Sequence, residues 1–143
     1  MPAAALRKVV DTDPLVAALN ANDAHHAWAR EMFGKLSPPV FTCEAVLSEA
    51  QFLLQERGGD PLAVLVWVQQ GVISLGFEAA NEIERLLALQ RSYRNLPMDF
   101  ADSCLVRMTE IHERSTFLTT DSHFRIYRRN GRQIIPLRAP PGI

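Results

Sequence analysis

The stretch VVDTDPLVAAL, residues 9–19, joins a short apolar run to a pattern typical of an amphipathic helix. Residues 8–10 have the length and character of a buried strand, and apolar side chains recur at helical spacing after Pro14. Asp13 and Pro14 are residue types favoured at the N-cap and at the first helical position, so we predict that the helix begins there. Asp11 then closes the strand, and a strand that leads directly into a helix indicates an α/β fold.

The same alternation of short strands and longer helices continues along the chain. Strands are predicted over residues 8–10, 40–41, 72–77, 117–119 and 133–135, and helices over 14–19, 24–36, 43–55, 61–70, 82–93, 100–113 and 122–127. Thr42, Asn81 and Asp99 are the predicted caps of three later helices, and Asp60-Pro61 is predicted to open another. This order predicts one α/β domain over residues 1–143, with a short, mainly parallel sheet flanked by helices and a loose tail from about residue 139.

The composition is that of an ordinary globular protein and excludes several functional classes. Lys and Arg number 15 against 16 Asp and Glu, so the net charge of −1 provides no global positive field for nucleic acid. Cys43 and Cys104 lack the spacing of a zinc site or of a disulfide framework, and the apolar run 62–68 is too short to span a bilayer. The first residues show no signal-peptide pattern, so we predict a cytoplasmic protein with no membrane contact.

Four acidic residues, Asp11, Glu49, Asp102 and Asp121, are the candidate functional residues. Asp11 and Asp121 each follow a predicted strand, and sites in open parallel sheets form at the carboxyl ends of strands. Both have a structural alternative, because an Asp often hydrogen-bonds its own turn or caps the helix that follows. Asp102 lies one turn after the predicted cap Asp99, where the helix dipole alone would favour an acid.

Glu49 is predicted to lie within the apolar face of its helix. At about 100° per residue, it falls between Val46 and Ala50 on one side and Phe52 on the other. A charged side chain is rarely buried without a partner. Glu49 therefore either meets a cation in a buried ion pair or lines a polar site.

If the fold brings these four acids together, their mutual repulsion favours a bound cation. Two carboxylates about 4 Å apart repel by roughly 1 kcal/mol in water and by roughly 4 kcal/mol at an effective dielectric constant of 20. Oxygen ligands select hard ions such as Mg²⁺ or Mn²⁺, which hold a phosphodiester and lower the pKa of a bound water. The pattern therefore points to metal-dependent phosphodiester hydrolysis without a covalent nucleophile.

Four segments in the same order resemble the PIN domain: VVDTDPLVAAL (9–19), AVLSEAQFLL (45–54), LPMDFADSCLVRMTE (96–110) and FLTTDSHFRIYRR (117–129). The resemblance extends from about residue 8 to residue 137 and is greatest to the VapC-type ribonuclease toxins of bacterial toxin–antitoxin pairs. It implies a PIN-like fold, endoribonuclease activity, a cognate antitoxin and a homodimer.

The resemblance also implies roles for individual residues. Its metal-binding acids, which hold Mg²⁺ or Mn²⁺, correspond to Asp11, Glu49, Asp102 and Asp121. Small polar residues beside the first and last of these acids correspond to Thr12 and Thr119. Asp13 and Asp99 are additional acids, and the sequence leaves open whether they belong to the site or only cap helices.

The C-terminal segment 122–143 contains five arginines and no acid. Arginine suits phosphate contacts, so Arg125 and its neighbours are candidate RNA ligands despite the neutral total charge. A solvated basic face and a docking surface for an acidic partner segment are the two alternatives.

The sequence thus predicts an Mg²⁺- or Mn²⁺-dependent endoribonuclease, the toxin of a toxin–antitoxin pair, that hydrolyses RNA with a metal-activated water. Two alternatives stay open: a nuclease for RNA processing or for DNA, and a catalytically silent PIN-like binding protein. The sequence identifies neither the RNA target, nor the cleavage sequence, nor the antitoxin, nor the number of metal ions.

Overall fold

A computed structural model describes residues 5–143 and contains a parallel sheet with helices packed around it. The strands are β1 (Arg7–Val10), β2 (Val40–Thr42), β3 (Ile73–Leu75), β4 (Ser115–Leu118), β5 (Arg128–Arg129), β6 (Gln133–Ile134) and β7 (Leu137–Arg138). Five of them form the main sheet in the order β3-β2-β1-β4-β7, and every neighbouring pair is parallel. The predicted α/β fold with a mainly parallel sheet is therefore confirmed.

Six α-helices connect or cover these strands. They are α1 (Thr12–Leu19), α2 (His26–Leu36), α3 (Glu44–Glu56), α4 (Leu62–Gln69), α5 (Ile83–Ser92) and α6 (Phe100–Ile111), with 3₁₀ turns at Ala79–Asn81 and Ser122–Arg125. Their apolar faces pack on the central strands, whose side chains Val9, Val10, Phe117 and Leu118 are fully buried. In residues 5–143 no helix combines the length and the apolar character needed to cross a bilayer.

Helix α1 begins two residues earlier than predicted. Its N-cap is Asp11, whose carboxylate accepts a hydrogen bond from the backbone N–H of Thr12 at 2.8 Å, so the predicted cap Asp13 lies inside the first turn. Pro14 does not mark the first helical position, because its missing N–H is tolerated throughout the first turn of a helix.

Two other predicted caps are wrong. Thr42 is the last residue of β2, and its hydroxyl donates to the carbonyl of Val10 at 2.8 Å, so it joins two strands and does not cap α3. Asn81 lies in a 3₁₀ turn and donates to Glu78, while α5 begins at Ile83. The cap at Asp99 is confirmed, since its carboxylate accepts the N–H of Asp102. Asp60 and Pro61 precede α4 as predicted: Pro61 is the N-cap residue, and the Asp60 carboxylate accepts the N–H of Leu62.

The C-terminal segment is more structured than predicted. The single strand expected at 133–135 is replaced by β6, which pairs antiparallel with β5, and by β7, which extends the main sheet beside β4. In the segment predicted as a loose tail, Pro140 is buried and the N–H of Ile143 donates to its carbonyl at 3.3 Å.

Away from the sheet edge, a buried carboxylate connects α5, α6 and the turn at Asn130. Glu110 of α6 has a side chain that is 1% exposed and accepts two hydrogen bonds from Arg85 of α5, at 2.8 and 2.6 Å. It also accepts from Arg107 at 3.4 Å and from the backbone N–H of Asn130 at 2.6 Å. Burial acts to raise the pKa of Glu110, but these donors outweigh it and lower the pKa.

Candidate functional site

Asp11 and Asp121 meet at the carboxyl-terminal edge of the sheet, at the ends of neighbouring strands β1 and β4. The pairing of Val10 with Leu118 continues past the strands, because the N–H of Asp11 donates to the Leu118 carbonyl at 2.9 Å. Thr119 connects the two acids directly. Its hydroxyl donates to Asp11 Oδ2 at 2.8 Å and accepts the N–H of Asp121 at 2.9 Å.

Asp11 is held in an environment that opposes its ionisation. Asp11 is only 8% exposed, and its carboxylate oxygens accept hydrogen bonds from the N–H of Thr12 and from the hydroxyl of Thr119. Burial raises its pKa to about 7, the negative charges of Asp13 and Asp121 act in the same direction, and the two hydrogen bonds oppose the rise. Asp11 is therefore a fixed acid that shares its surroundings with other acids.

Asp102 reaches the same region from the first turn of α6. It forms a capping box with Asp99, in which each carboxylate accepts the other residue's backbone N–H. Burial raises its pKa to about 8, and the charges of Asp99, Asp11 and Asp121 add to the rise. Negative charges from three different parts of the chain thus raise the pKa of Asp102.

Glu49 lies at the margin of this group and not in the apolar face of α3. The buried residues of α3 are Val46, Leu47, Ala50 and Leu54, whereas Glu49 is exposed and Phe52 is 62% exposed. The pKa of Glu49 is raised by partial burial and by the charges of Asp99 and Asp13. The neighbouring Thr12 hydroxyl lowers it, although this buried hydroxyl makes no hydrogen bond of standard geometry.

Asp13 belongs to the acidic group and does not cap a helix. The hydroxyl of Thr120 donates to its Oδ2 at 3.2 Å, and its charge raises the pKa of Asp11 and of Glu49. The spacing in Asp11-Thr12-Asp13 was the signal for this position, but sequence alone could not separate the two roles. Asp99 has both roles, because it caps α6 and its charge raises the pKa of Asp102 and Glu49.

Cations are scarce around these acids. Among the described residues, no Lys or Arg forms an ion pair with Asp11, Asp13, Glu49, Asp99 or Asp102; the ion pairs lie elsewhere, apart from a contact of Asp121 with a histidine. Within the same described residues, no three His, Cys, Asp or Glu side chains lie close enough together to form a complete set of metal ligands. The donors are nevertheless all oxygens, and their excess negative charge suits a hard divalent cation.

His123 is a further neighbour of the site and contacts Asp121. The Nδ1 atom of His123 lies 2.8 Å from Asp121 Oδ1, the same oxygen that accepts the backbone N–H of His123. The His123 ring stacks on the ring of Tyr127, with 6.4 Å between the ring centroids. Burial raises the pKa of Tyr127, and the charges of Asp102, Asp121 and Asp99 contribute. The signal for His123 was its position two residues after Asp121.

Three of the five arginines of the C-terminal segment are engaged in the fold. Arg125 Nε donates to the carbonyl of Ile143 at 3.0 Å, and Arg128 donates to three carbonyls of the preceding turn. Arg129 is 4% exposed and donates to the carbonyl of Glu113. These bonds give the segment a structural role, and the assignment of Arg125 as an RNA ligand stays a prediction.

We expect the Asp102→Asn substitution to stabilise the metal-free protein increasingly as the pH rises. The pKa of Asp102 is raised from 3.8 to about 8 on folding. Folding therefore favours the protonated carboxyl, and this contribution is complete below the unfolded pKa and lost as the pH rises through the folded pKa. Asn cannot ionise and keeps an oxygen for the capping box.

Thermal denaturation in EDTA measures this effect. The melting temperature of Asp102→Asn minus that of the wild type should be small at pH 4.5 and should grow by several degrees towards pH 8.5. Asp60→Asn, which changes an exposed helix cap, is the matched control and should show no such trend. A difference that stays constant with pH would contradict the charge conflict at Asp102.

Comparisons with known proteins agree with this architecture. The family described as the PIN domain matches residues 8–130. Ribonuclease VapC26 of Mycobacterium tuberculosis is 28% identical over 126 residues, which cover 86% of this chain and 93% of the relative.

Two solved structures share the fold. The crystal structure of Mycobacterium tuberculosis VapC20, described as a Sarcin-Ricin loop cleaving toxin, aligns with a TM-score of 0.74 at 23% identity, over 90% of this chain and 99% of that one. VapBC2 from Rickettsia felis, solved bound to a DNA fragment from its promoter, aligns with a TM-score of 0.62 at 15% identity, over 94% and 99% of the two chains. With the family match over most of the sequence and the fold in agreement, the chain belongs to the PIN domain family.

Proposed function

We propose that this protein is a metal-dependent endoribonuclease and the toxin of a toxin–antitoxin pair. The observation that carries the proposal is the pair of acids Asp11 and Asp102, whose pKa values are raised to about 7 and about 8 at the carboxyl edge of a parallel sheet. Acids held together at a cost to the fold are typical of a functional site. The similarity to VapC26 supports ribonuclease chemistry in particular.

The residues that would hold Mg²⁺ or Mn²⁺ are Asp11, Glu49, Asp102 and Asp121. Their donors are carboxylate oxygens, and the unbalanced negative charge described above is what a divalent cation would neutralise. When bound, such an ion stabilises charge on the phosphodiester and lowers the pKa of a water molecule.

The remaining chemistry belongs to the protein's own side chains. Thr119 fixes Asp11 and Asp121 with one hydroxyl, so two acids from different strands keep their separation. His123 and the capping box restrict Asp121 and Asp102 in the same way. The buried Thr12 hydroxyl lies beside Glu49 and makes no hydrogen bond of standard geometry, so it could donate to a non-bridging phosphate oxygen. This preorganisation is what electrostatic catalysis requires.

The relatives support the biological part of the proposal. VapC20 is described as a Sarcin-Ricin loop cleaving toxin, VapC26 as a ribonuclease, and VapBC2 was solved bound to a DNA fragment from its promoter. We extend an RNA substrate and an antitoxin partner to this chain on that basis. A homodimer belongs to the same proposal, and the exposed apolar residues Leu62, Leu65 and Val66 of α4 offer surface that a second copy would bury.

The direct test is incubation of purified protein with total cellular RNA, with Mn²⁺ or with EDTA. We expect discrete cleavage products only with Mn²⁺, and growth arrest when the protein is expressed alone. Cleavage that persists in EDTA would contradict the metal-dependent mechanism. Absence of cleavage together with absence of Mn²⁺ binding by calorimetry would favour the silent binding protein, and cleavage of DNA in preference to RNA would favour the DNA nuclease.

Metal binding should also appear as stability. A ligand that binds only the folded state at ten times its Kd adds about 1.4 kcal/mol to the free energy of unfolding. We expect Mn²⁺ to raise the melting temperature by about 3–6 °C at that concentration. The rise should be larger at pH 8 than at pH 6, because protons compete for Asp11 and Asp102. If Ca²⁺, Mg²⁺ and Mn²⁺ all raised the melting temperature of an Asp11→Asn variant equally, this would show that the ion binds elsewhere.

A further inference from the structure

A cavity of about 400 Å³ lies beside the acidic group and has no role in the proposed metal chemistry. Its walls include Phe77 and Phe100, the small side chain of Ala45, and the carboxylates of Glu44 and Glu78. Flat aromatic walls with a few acceptors at the rim suit a planar ligand that carries hydrogen-bond donors.

The topology places this cavity next to the acids along the same sheet edge. Cys43 lines the cavity and follows β2, and the register of Val9 with Phe41 sets it opposite Asp11. Phe77 and Glu78 come from the segment after β3, the next strand outward. Neighbouring strands are about 4.8 Å apart, so the cavity begins within about 10 Å of Asp11.

Phe100 is the side chain most suited to contact a ligand. It is 46% exposed although it is a large aromatic residue, and it lies at the start of α6, two residues before Asp102. Single-stranded RNA is recognised mainly by stacking of splayed bases on aromatic side chains. A base that stacks on Phe100 would belong to a nucleotide next to the one held at the acids.

The two carboxylates determine which base fits. In the described part of the chain, the Glu44 carboxylate makes no hydrogen bond or ion pair, and Glu78 shares one oxygen with the amide of Asn81 at 2.7 Å. An ionised carboxylate only accepts hydrogen bonds. Guanine offers two adjacent donors, N1–H and the N2 amino group, on its Watson–Crick edge. Adenine, cytosine and uracil each place an acceptor beside their donor, and that acceptor would face the carboxylate.

We propose that this cavity is a guanine-binding subsite that selects the nucleotide next to the cleaved phosphodiester. The inference rests on the proposed ribonuclease function, since it assigns a base preference to that same site. It assigns Phe100 the stacking contact and Glu44 and Glu78 the recognition of the guanine edge.

The first experiment measures binding without metal or cleavage. The ¹⁵N-labelled wild-type protein in EDTA is titrated with guanosine, adenosine, cytidine and uridine, and amide shifts are followed by NMR. Guanosine should shift the amides of residues 44–45 and 77–80 and bind about ten-fold more tightly than uridine. Glu44→Gln and Glu78→Gln should each remove most of this preference, whereas Glu56→Gln, an exposed acid at the end of α3, should not.

The second experiment reads the preference from cleavage. A pool of random-sequence RNA cut by the wild type with Mn²⁺ should show guanosine at one fixed position relative to the cut. Inosine at that position, which lacks the N2 amino group, should reduce cleavage about ten-fold. The double variant Glu44→Gln, Glu78→Gln should lose the preference while Mn²⁺-dependent cleavage at other sequences persists.

The outcomes separate the two proposals. If the wild type cuts RNA without a guanosine preference and guanosine does not bind the cavity, the subsite is wrong and the nuclease stands. If the wild type does not cut but guanosine binds the cavity selectively, the base subsite stands and the nuclease fails. Shifts of the same amides by N-acetylarginine amide but not by guanosine would overturn the subsite and assign the cavity to a protein partner.

Discussion

Replacing Asp11 with Asn is expected to lower Mn²⁺-dependent RNA cleavage by at least about 10²-fold, the loss typical of removing one preorganised electrostatic group. The substitution removes a charge and leaves the geometry in place. The Asn oxygen accepts the N–H of Thr12, as Asp11 Oδ1 does now. The Asn amide then donates to the Thr119 hydroxyl, which in the wild type donates to Asp11 Oδ2.

Initial rates on a defined RNA, measured at equal protein and Mn²⁺ concentrations, give the size of the loss. The matched control is Asp60→Asn, which makes the same chemical change at an exposed helix cap and should keep wild-type activity. The melting temperature of Asp11→Asn should equal or exceed that of the wild type, because the substitution removes a buried charge. Full activity in Asp11→Asn would exclude Asp11 from the reaction or reveal a contaminating nuclease.

Glu110→Ala is expected to cost the largest amount of stability of any substitution considered. The Glu110 side chain is 1% exposed and holds Arg85, Arg107 and the N–H of Asn130. Removing one partner of a buried ion pair costs about 3–5 kcal/mol. The two arginines are 32% and 28% exposed and can recover some hydration, so we expect about 3 kcal/mol and a fall in melting temperature of about 10 °C.

Urea denaturation followed by circular dichroism measures this cost. Glu84→Ala is the control, since Glu84 is an exposed acid in the first turn of α5. Its free energy of unfolding should stay within about 0.5 kcal/mol of the wild type. A loss below about 1 kcal/mol in Glu110→Ala would mean that the arginines find other partners and that α5 does not depend on this contact. Among the described residues, the ion pairs of Glu110 involve Arg85 and Arg107 and none of the acids at the sheet edge. Asp11→Asn and Glu110→Ala therefore test separate parts of the protein.

The sequence was sufficient for the features that depend on local pattern. The alternation of strands and helices predicted the parallel sheet, and the cap at Asp99 and the start of α4 after Asp60-Pro61 followed from residue type and position. Local context also selects the four candidate acids: Asp11 and Asp121 end predicted strands, Asp102 lies in the first turn of a helix, and Glu49 is predicted within an apolar helix face. Their electrostatic effect on one another required the fold, because Asp11 and Thr119 are 108 residues apart.

The errors arose where several residues were equally suited to one role. Asp11 and Asp13 are both good N-caps, and the contact of Asp11 with β4 decides between them. Thr42 has the side chain of a cap, but a neighbouring strand offers its hydroxyl a better acceptor at the Val10 carbonyl. The helical angle predicts Glu49 within the apolar face, since apolar Phe52 lies on its other side, but Phe52 is 62% exposed. The fold buries the opposite flank of α3 instead.

The position of β4 beside β1 has a consequence for the life of the chain on the ribosome. Asp11 is made 108 residues before Thr119, which fixes it, and before Asp121, which completes the group. In a chain that has not yet reached residue 119, Asp11 is present but Thr119, which fixes its position, is not. The proposed site can therefore form only after the chain has been made beyond residue 121, and a product truncated before residue 119 would lack it.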